Sequence, residues 1–329
     1  MKKILVLGGT NFIGRSLVEY LQKHPEAYDL TLLNRGVTNS DLFPSIKQIK
    51  GDRNTNEIGA LVKGDWDIII DVSCYFPRSI ERIVNNVSKD LEHYIFISTG
   101  SVYDTEEKEL IDETGAVLEC KEEEYEDKSV QTYGKRKSAC EDILIRSGIH
   151  YTILRPPIVY GEYDKTDRFY YWLYRVKHFD EILLPNDGQQ KFSMTYVKDI
   201  VQAIGQSMIA PKRDEIYNIT SHPIMTISRV IEIASKVLEV KPTLVNVDST
   251  YLHANEVRQW WDLPLWIDND DFTYDNQKIL RDYELDLVEL EESIRRTIAY
   301  YDDLNWPVPT YGLSREQEED LLKKYETYR

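Results

Sequence analysis

Tyr133 and Lys137 stand one helical turn apart and could carry out proton transfer. Residues four apart lie on the same face of a helix, and we predict a helix over residues 129–146. A phenol with a pKa of about 10 is a poor base at neutral pH, but a neighbouring ammonium favours the phenolate. The spacing therefore predicts that Tyr133 acts as acid and base and that Lys137 lowers its pKa.

A pair of hydroxyl residues, Ser98-Thr99, ends the predicted strand that precedes this helix. A hydroxyl at the carboxyl end of a strand can hold a substrate oxygen beside the phenol. The chain has 23 tyrosines and a second pair with the same spacing, Tyr274 and Lys278, so chance is the alternative explanation. No such strand precedes that second pair, and the context therefore favours Tyr133.

A glycine-rich turn follows the first apolar strand and opens a predicted helix. Such a turn lets the backbone approach a pyrophosphate, while the helix N-terminus presents N–H groups and a partial positive charge. Asn11 replaces the middle glycine of the usual pattern, and because asparagine tolerates left-handed backbone we expect the loop to be kept. The sequence predicts a dinucleotide site with contacts from Gly8, Thr10, Asn11, Phe12, Ile13 and Gly14.

The ends of the following strands should complete this site, because ligands bind beyond the carboxyl ends of parallel strands. Asn34-Arg35 follows the second strand, where NAD-selective proteins carry an acid for the ribose 2′-hydroxyl. An arginine there suits a 2′-phosphate, so the sequence favours NADP over NAD, with a solvated loop arginine as the alternative. We predict that Asp52 and Arg53 flank the adenine and that Ser73 also contacts the cofactor.

Strands and helices alternate along the first two thirds of the chain. Predicted strands cover residues 4–7, 29–34, 46–50, 66–72, 93–98 and 150–154. This alternation implies an α/β protein with a doubly wound parallel sheet. We assign residues 1–160 and 195–222 to a Rossmann domain that binds NAD(P), and residues 161–194 and 223–329 to a smaller substrate lobe.

The bulk composition limits the partners of this chain. Of the 329 residues 42% are hydrophobic, and the net charge of -17 argues against nucleic acid or an anionic membrane as the main partner. Three scattered cysteines indicate reduced thiols in the cytosol, and the six histidines have no metal-ligand spacing. We expect a cytoplasmic protein with a small-molecule substrate, compatible with a homodimer, whose acidic stretch 104–128 is a solvated excursion.

Five motifs occur along the chain in a characteristic order: Gly-Gly-Thr-x-Phe-Ile-Gly, Ser-Thr-x-x-Val-Tyr, Tyr-x-x-x-Lys, Leu-Arg-Pro-Pro-Ile-Val-Tyr-Gly and Tyr-Val-Lys-Asp-Ile. Over about residues 1–220 this set resembles the extended short-chain dehydrogenase/reductases, the NAD-dependent epimerase/dehydratase group. The resemblance implies that Tyr133 and Lys137 transfer the proton and orient the nicotinamide ribose. It also implies that Thr99 holds the reacting oxygen.

The segment 160–172 looks closer to a bacterial subgroup called isoflavone-reductase-like. Most of its aromatic side chains are interpreted as core, and we select Tyr160 and Arg168 as the substrate contacts. The first motif and an Asn-Arg-Gly piece also resemble the chloroplast stem-loop RNA-binding relatives, which keep the fold for another use.

Two departures from the family pattern narrow the chemistry. Gly100 and Ser101 stand where sugar-nucleotide 4,6-dehydratases carry Asp-Glu, which argues against that dehydration. Phe192 stands where nucleotide-sugar enzymes commonly place a diphosphate-binding arginine, so we expect a smaller or more aromatic substrate. The sequence predicts an NAD(P)-dependent oxidoreductase or epimerase that transfers hydride at a carbinol or carbonyl carbon. The alternatives are a non-catalytic NAD(P)-binding regulator, an RNA-binding relative and a nucleotide-sugar 4-epimerase.

Overall fold

The computed structural model describes residues 1–104, 109–210, 214–268 and 270–328, and a seven-stranded parallel sheet forms its centre. The strands of the described residues are β1 (Lys2–Leu7), β2 (Tyr28–Asn34), β3 (Lys47–Lys50), β4 (Ile68–Asp71), β5 (His93–Ile97), β6 (Tyr151–Arg155), β7 (Ile158–Tyr160), β8 (Glu181–Pro185), β9 (Phe192–Tyr196), β10 (Glu215–Asn218), β11 (His222–Met225) and β12 (Thr243–Val247). The central sheet has the order β10-β6-β5-β4-β1-β2-β3, and its neighbouring strands are all parallel. The predicted doubly wound α/β fold is confirmed.

Helices cover both faces of this sheet, and further helices lie in the C-terminal part of the chain. They are α1 (Phe12–Leu21), α2 (Ile58–Leu61), α3 (Pro77–Val84), α4 (Tyr133–Arg146), α5 (Tyr170–His178), α6 (Val197–Ile209), α7 (Ile227–Leu238), α8 (Ser249–Ala254), α9 (Gln277–Asp282), α10 (Leu290–Asp303) and α11 (Arg315–Tyr328). Helix α4 begins at Tyr133, four residues later than predicted, because a turn precedes it in which the Tyr133 N–H donates to the Val130 carbonyl. Within the described residues no helix is long and apolar enough to cross a membrane.

Strand β1 explains why the sheet needs helices on both sides. Ile4 and Val6 face one hydrophobic cluster, whereas Leu5 and Leu7 face another, and all four are buried. Alternate residues of a strand point to opposite faces, so a run without polar residues is stable only between two layers. The parallel pairing of β1 with β2 and β4 brings the carboxyl ends of the three strands to one edge.

A second lobe has its own core beside the carboxyl edge of the sheet. It contains a three-stranded sheet in the order β11-β9-β7 and a two-stranded sheet of β8 and β12. Its core includes many of the aromatic residues between Ile158 and Val176, together with residues of α7 and α10. The predicted domain boundary after residue 160 falls at the end of β7, whose Ile158 and Tyr160 pack in this second core.

The acidic stretch 104–128 is attached to the fold more closely than a solvated excursion would be. Residues 105–108, which include Glu106 and Glu107, lie outside the described part. Ile111 is buried and its carbonyl accepts a hydrogen bond from the Asn218 side chain at 2.9 Å. The Glu113 carboxylate accepts the Asn218 backbone N–H at 2.7 Å, so this part of the stretch packs against the edge strand β10. Glu122, Glu123 and Glu126 are exposed, as expected.

Candidate active site

A cleft of about 490 Å³ opens at the carboxyl edge of the central sheet. Eleven of the twelve predicted cofactor residues line this one cleft, and Lys137 lies outside its lining. The eleven are Gly8, Thr10, Asn11, Phe12, Ile13, Gly14, Asn34, Arg35, Asp52, Arg53 and Ser73. The topology therefore brings the loops after β1, β2, β3 and β4 together as the sequence predicts.

The glycine turn between β1 and α1 leaves room for backbone alone. A Cβ on Gly14 would lie 2.0 Å from the Gly8 carbonyl oxygen, and Gly8 has a φ of +97°. The left-handed non-glycine residue of the turn is Phe12, with a φ of 36°, whereas Asn11 is extended with a φ of −138°. The glycine turn is kept, but our expectation that Asn11 adopts left-handed backbone is wrong, because the positive φ falls on the next residue, Phe12.

The end of β2 presents two polar side chains to the cleft. The Asn34 amide nitrogen is buried and has no hydrogen-bond partner among the described residues. Arg35 is exposed and makes no ion pair within the described part of the chain. Asp52 lies half-buried beside them, with its carboxylate accepting the Asn54 backbone N–H at 2.9 Å. An unsatisfied buried donor and a free guanidinium at one strand end are suited to a polar, anionic ligand.

Arg53 has a structural role that the sequence analysis did not foresee. Its guanidinium donates to both oxygens of the buried Asp71 carboxylate, at 2.5 and 2.7 Å, and to the Ser73 hydroxyl at 3.0 Å. Burial alone would raise the pKa of Asp71, but the Arg53 charge and hydrogen bonds outweigh it and lower this pKa. The Arg53 side chain is therefore tied to Asp71 in the wall of the cleft, and its place beside an adenine stays a prediction.

The predicted proton-transfer pair comes together at the other end of the cleft. The Thr99 side chain, directly after β5, lies beside the phenol of Tyr133 in the first turn of α4. Burial is the largest influence on the phenol and raises the pKa of Tyr133, while the neighbouring Thr99 hydroxyl and the Arg168 charge oppose it. Desolvation therefore dominates, and the lowering of the pKa that we expect from Lys137 together with a cationic oxidised nicotinamide stays a prediction.

Lys137 lies buried on the same face of α4. Its ammonium donates to the backbone carbonyls of Cys74 at 2.9 Å and Ile97 at 2.6 Å, and lies 4.2 Å from the centre of the Phe96 ring. No carboxylate of the described residues forms an ion pair with it. The ammonium therefore holds the loop after β4 and the end of β5 together beneath Tyr133.

The two predicted substrate contacts have different positions. Tyr160 is fully buried, packs on Phe169 at 4.3 Å between ring centres, and its hydroxyl is hydrogen-bonded to Ser293 at 2.5 Å and His222 at 3.1 Å. It is a core residue, so its predicted contact with substrate is wrong. Arg168, in contrast, is half-buried and close enough to Tyr133 for its charge to act on the phenol.

A loop after β7 closes one side of the cleft and touches helix α1. Lys165 and Thr166 line the cleft opposite the glycine turn. The Arg15 guanidinium lies 3.7 Å from the centre of the Tyr163 ring, and the Tyr163 hydroxyl donates to Glu19 at 3.2 Å. The loop is therefore held against the helix whose N-terminus faces the cleft.

The same loop is bonded to the C-terminal part of the lobe. The Asp167 carboxylate accepts both the backbone N–H and the hydroxyl of Thr310 at 2.9 Å. The Tyr301 hydroxyl donates to the Asp164 carbonyl at 3.3 Å. One short segment thus contacts the cleft, the first helix and the segment after α10.

At two positions this chain lacks the side chain on which a related reaction depends, and its surroundings do not suit that side chain. A Cβ on Gly100 would lie 2.8 Å from the ring of Tyr274, so the acid of a 4,6-dehydratase has no space at this position. Phe192 is fully buried and stacks on Phe272 with 6.0 Å between ring centres. Lys191, beside it, forms an ion pair with Glu109 at 2.8 Å.

The cleft residues that sequence reasoning missed include Tyr75, Lys165 and Thr166. The Tyr75 ring is 6.2 Å from that of Tyr133. Tyr75 follows the predicted fourth strand by three residues, and the rule that ligands bind at strand ends would have found it. Lys165 and Thr166 come from another lobe and carried no local signal.

A parallel sheet of this order, a glycine turn at the start of α1 and a Tyr–Thr–Lys set on the adjoining strand and helix define an extended short-chain dehydrogenase/reductase fold. The family model for the NAD dependent epimerase/dehydratase family matches residues 4–220. The chain belongs to this family. The closer relation to the isoflavone-reductase-like subgroup stays a prediction.

Similar proteins include both curated sequences and solved structures. The chain is 28% identical over 251 residues to a chloroplast stem-loop binding protein of 41 kDa from Arabidopsis thaliana, with 71% of this chain and 63% of that protein covered. It therefore spans less than two thirds of that relative. An uncharacterized protein of Methanocaldococcus jannaschii is 25% identical over 280 residues, covering 73% of this chain and 82% of the relative.

The solved structures with this fold include enzymes that act on nucleotide sugars. The UDP-glucuronic acid 4-epimerase of Bacillus cereus, in complex with NAD, has a TM-score of 0.70 and 18% identity, covering 93% of this chain and all of the other. The UDP-glucose 4-epimerase of Thermotoga maritima has a TM-score of 0.70 and 18% identity, covering 92% and 99%. At this identity the likeness shows the fold alone.

Proposed function

We propose that this protein is an NAD(P)-dependent oxidoreductase that transfers hydride at a carbinol or carbonyl carbon of a small substrate. The observation that carries the proposal is the grouping of the Thr99 hydroxyl, the Tyr133 phenol and the buried ammonium of Lys137 at one end of the cleft. A non-catalytic regulator that only binds the cofactor would have no need of this arrangement. The cofactor, when bound, would donate or accept the hydride.

The cleft fits a dinucleotide in its shape and polar groups. The glycine turn excludes side chains, which lets backbone N–H groups at the start of α1 approach a pyrophosphate. The unpartnered amide of Asn34 and the free guanidinium of Arg35 lie where a ribose with a 2′-phosphate would bind. These two side chains support NADP as the preferred cofactor, and NAD is the alternative.

Tyr133 would move the proton at the substrate oxygen. The pKa of the Tyr133 phenol is raised, so the phenol is protonated at neutral pH. It can therefore donate its proton to a carbonyl oxygen during reduction. Thr99 would orient that oxygen with its hydroxyl. Lys137 would hold the backbone beneath the phenol in place through its hydrogen bonds to two carbonyls. Its positive charge would stabilise the phenolate after the proton has been transferred.

The direct test is consumption of NADPH or NADH with a panel of aldehydes and ketones, monitored by absorbance. We expect turnover in the wild type and a loss in Tyr133→Phe. A wild type that binds a cofactor tightly but consumes none with any carbonyl compound would contradict the proposal and favour the regulator.

RNA binding is a second candidate, favoured by the similarity to the chloroplast stem-loop binding protein. The net charge of -17 opposes it, because phosphate backbones are bound by positive surfaces. Salt-sensitive binding of a stem-loop RNA, without any carbonyl reduction, would support this candidate.

A further inference from the structure

Arg168 extends from the loop after β7 toward the site of Tyr133. Its Nε donates to the Thr166 hydroxyl at 3.3 Å, and Thr166 lines the cofactor cleft. Its guanidinium carbon lies 5.2 Å from the centre of the Trp260 ring. A hydroxyl on one side and an aromatic face on the other therefore hold the side chain at the junction of the cleft and the lobe.

The charge of Arg168 has no carboxylate partner within the described residues. Two acids on its own loop are already engaged. The Asp164 carboxylate accepts the backbone N–H and the hydroxyl of Thr166 at 2.8 and 3.1 Å, and the Asp167 carboxylate accepts both donors of Thr310. The terminal nitrogens of Arg168 are thus left as free donors at a half-buried position.

Another arginine near the same part of the lobe differs in this respect. Arg258 is exposed and forms a two-pronged ion pair with Asp262, at 2.6 and 3.0 Å. Both arginines influence the phenol of Tyr311, so they face the same region. Only the paired one is satisfied by the protein itself, which makes it a matched control for the other.

Arg168 also lies near the reacting centre. Thr166, its hydrogen-bond partner, lines the same cleft as Tyr75, whose ring is 6.2 Å from that of Tyr133. The charge of Arg168 opposes the rise of the Tyr133 pKa, which places it within electrostatic reach of the phenol. A group bound to the guanidinium would therefore lie within electrostatic reach of an oxygen held by Tyr133.

We propose that Arg168 is the specificity residue for a substrate that carries, besides its reacting carbonyl or carbinol carbon, an oxyanion in the form of a carboxylate or a phosphate. The planar guanidinium with free donors matches the two oxygens of such a group. An oxyanion would also provide the partner that this partly desolvated cation lacks. The inference rests on the proposed oxidoreductase activity and names its substrate class.

The test compares carbonyl compounds that differ only in charge. Para-formylbenzoate is matched with its methyl ester, and glyceraldehyde phosphate with glyceraldehyde, with turnover followed at saturating NADPH or NADH. We expect kcat/KM of the wild type to be at least about tenfold higher for the charged member of one pair, which also distinguishes carboxylate from phosphate. Arg168→Gln should remove this preference, so that the ratio of kcat/KM for the charged and the neutral member falls to about one. Arg168→Lys should restore part of the preference, and Arg258→Gln should leave it unchanged.

If none of these compounds is turned over, the binding of an anion to the site of Arg168 can still be measured. Calorimetry of the cofactor-loaded protein should show benzoate or inorganic phosphate binding at least about tenfold tighter in the wild type than in Arg168→Gln. Benzamide should not distinguish the two. Equal binding by wild type and Arg168→Gln, or a wild type with no preference for the charged member of either pair, would overturn the inference.

The two proposals fail separately. If Tyr133→Phe keeps normal turnover and a charge preference that depends on Arg168, the catalytic role of Tyr133 is refuted and the anion site is supported. If turnover needs Tyr133 but shows no charge preference, the anion site at Arg168 is refuted and the catalytic role of Tyr133 is supported.

Discussion

The hydroxyl of Thr99, at the end of β5, lies beside the phenol of Tyr133 in the first turn of α4. These residues are 34 positions apart in the chain, and the parallel sheet brings them together because α4 returns across its face. The ammonium of Lys137 lies under the same contact, bonded to the end of β5. A substrate oxygen in this place would meet two hydroxyls that the fold has already oriented.

Removing the phenolic proton should stop the chemistry and leave the cofactor site intact. Tyr133→Phe keeps the ring and its packing, so we expect turnover to fall about 10²-fold or more, with cofactor affinity nearly unchanged. Tyr274→Phe, in the second pair with Tyr-x-x-x-Lys spacing, is the control and should retain turnover. Near-normal turnover in Tyr133→Phe with a true substrate would show that another group moves the proton.

The choice between the two nicotinamide cofactors should depend on Arg35. Arg35→Asp exchanges a free guanidinium for a negative charge, so NADPH binding should weaken by about 2–3 kcal/mol. NADH lacks the 2′-phosphate and should be affected much less. Fluorescence titration with both cofactors measures the difference, and an equal loss for both would refute the role assigned to Arg35.

Nucleotide sugars should not bind with useful affinity. The position that would hold a diphosphate is occupied by Phe192, which is fully buried against Phe272, and the adjacent Lys191 is paired with Glu109. Bringing a diphosphate there would leave its charge without a desolvated partner. Calorimetry with UDP-glucose and UDP-glucuronic acid, in the presence of NADP, should show no micromolar binding. A tight signal from either would support a nucleotide-sugar 4-epimerase.

Asp164 should make the protein less stable as the pH rises through 6. Burial is the main cause that raises its pKa to about 6 from the ordinary 3.8. A folded pKa above the unfolded one contributes stability that is complete below about pH 4 and is lost as the pH rises through 6. Asp164→Asn should therefore gain stability relative to wild type between pH 4 and pH 8, by at most about 3 kcal/mol. Thermal unfolding at several pH values measures this, and a difference that stays constant with pH would contradict the buried, protonated carboxyl.

The central sheet could be predicted because each of its buried strands is a short apolar run followed by a turn. β1 and β5 match their predicted bounds within two residues. Two strands of the second lobe, β7 and β11, could not be found because they have three and four residues and neither alternates apolar and polar side chains. Their pairing depends on partners from distant parts of the chain.

The residues of the candidate site divide in the same way. Tyr133 and Thr99 could be found because their positions follow from strand ends and helix spacing. The buried contacts of Arg53 and Tyr160 could not be predicted, because they depend on Asp71 and Ser293, which no local pattern connects to them. Burial also raises the pKa of Tyr133, and helix spacing alone does not indicate this effect.

The loop after β7 should carry the effect of cofactor binding to a segment that does not line the cleft. Thr166 lines the cleft, and one residue later Asp167 accepts both donors of Thr310. If a cofactor orders this loop, the amide of Thr310 should open less often. Hydrogen–deuterium exchange in residues 304–313 should slow when NADPH is added, whereas β12 should exchange at an unchanged rate. The rate of local unfolding in residues 304–313 would then depend on whether a cofactor is bound in the cleft on the other side of the loop.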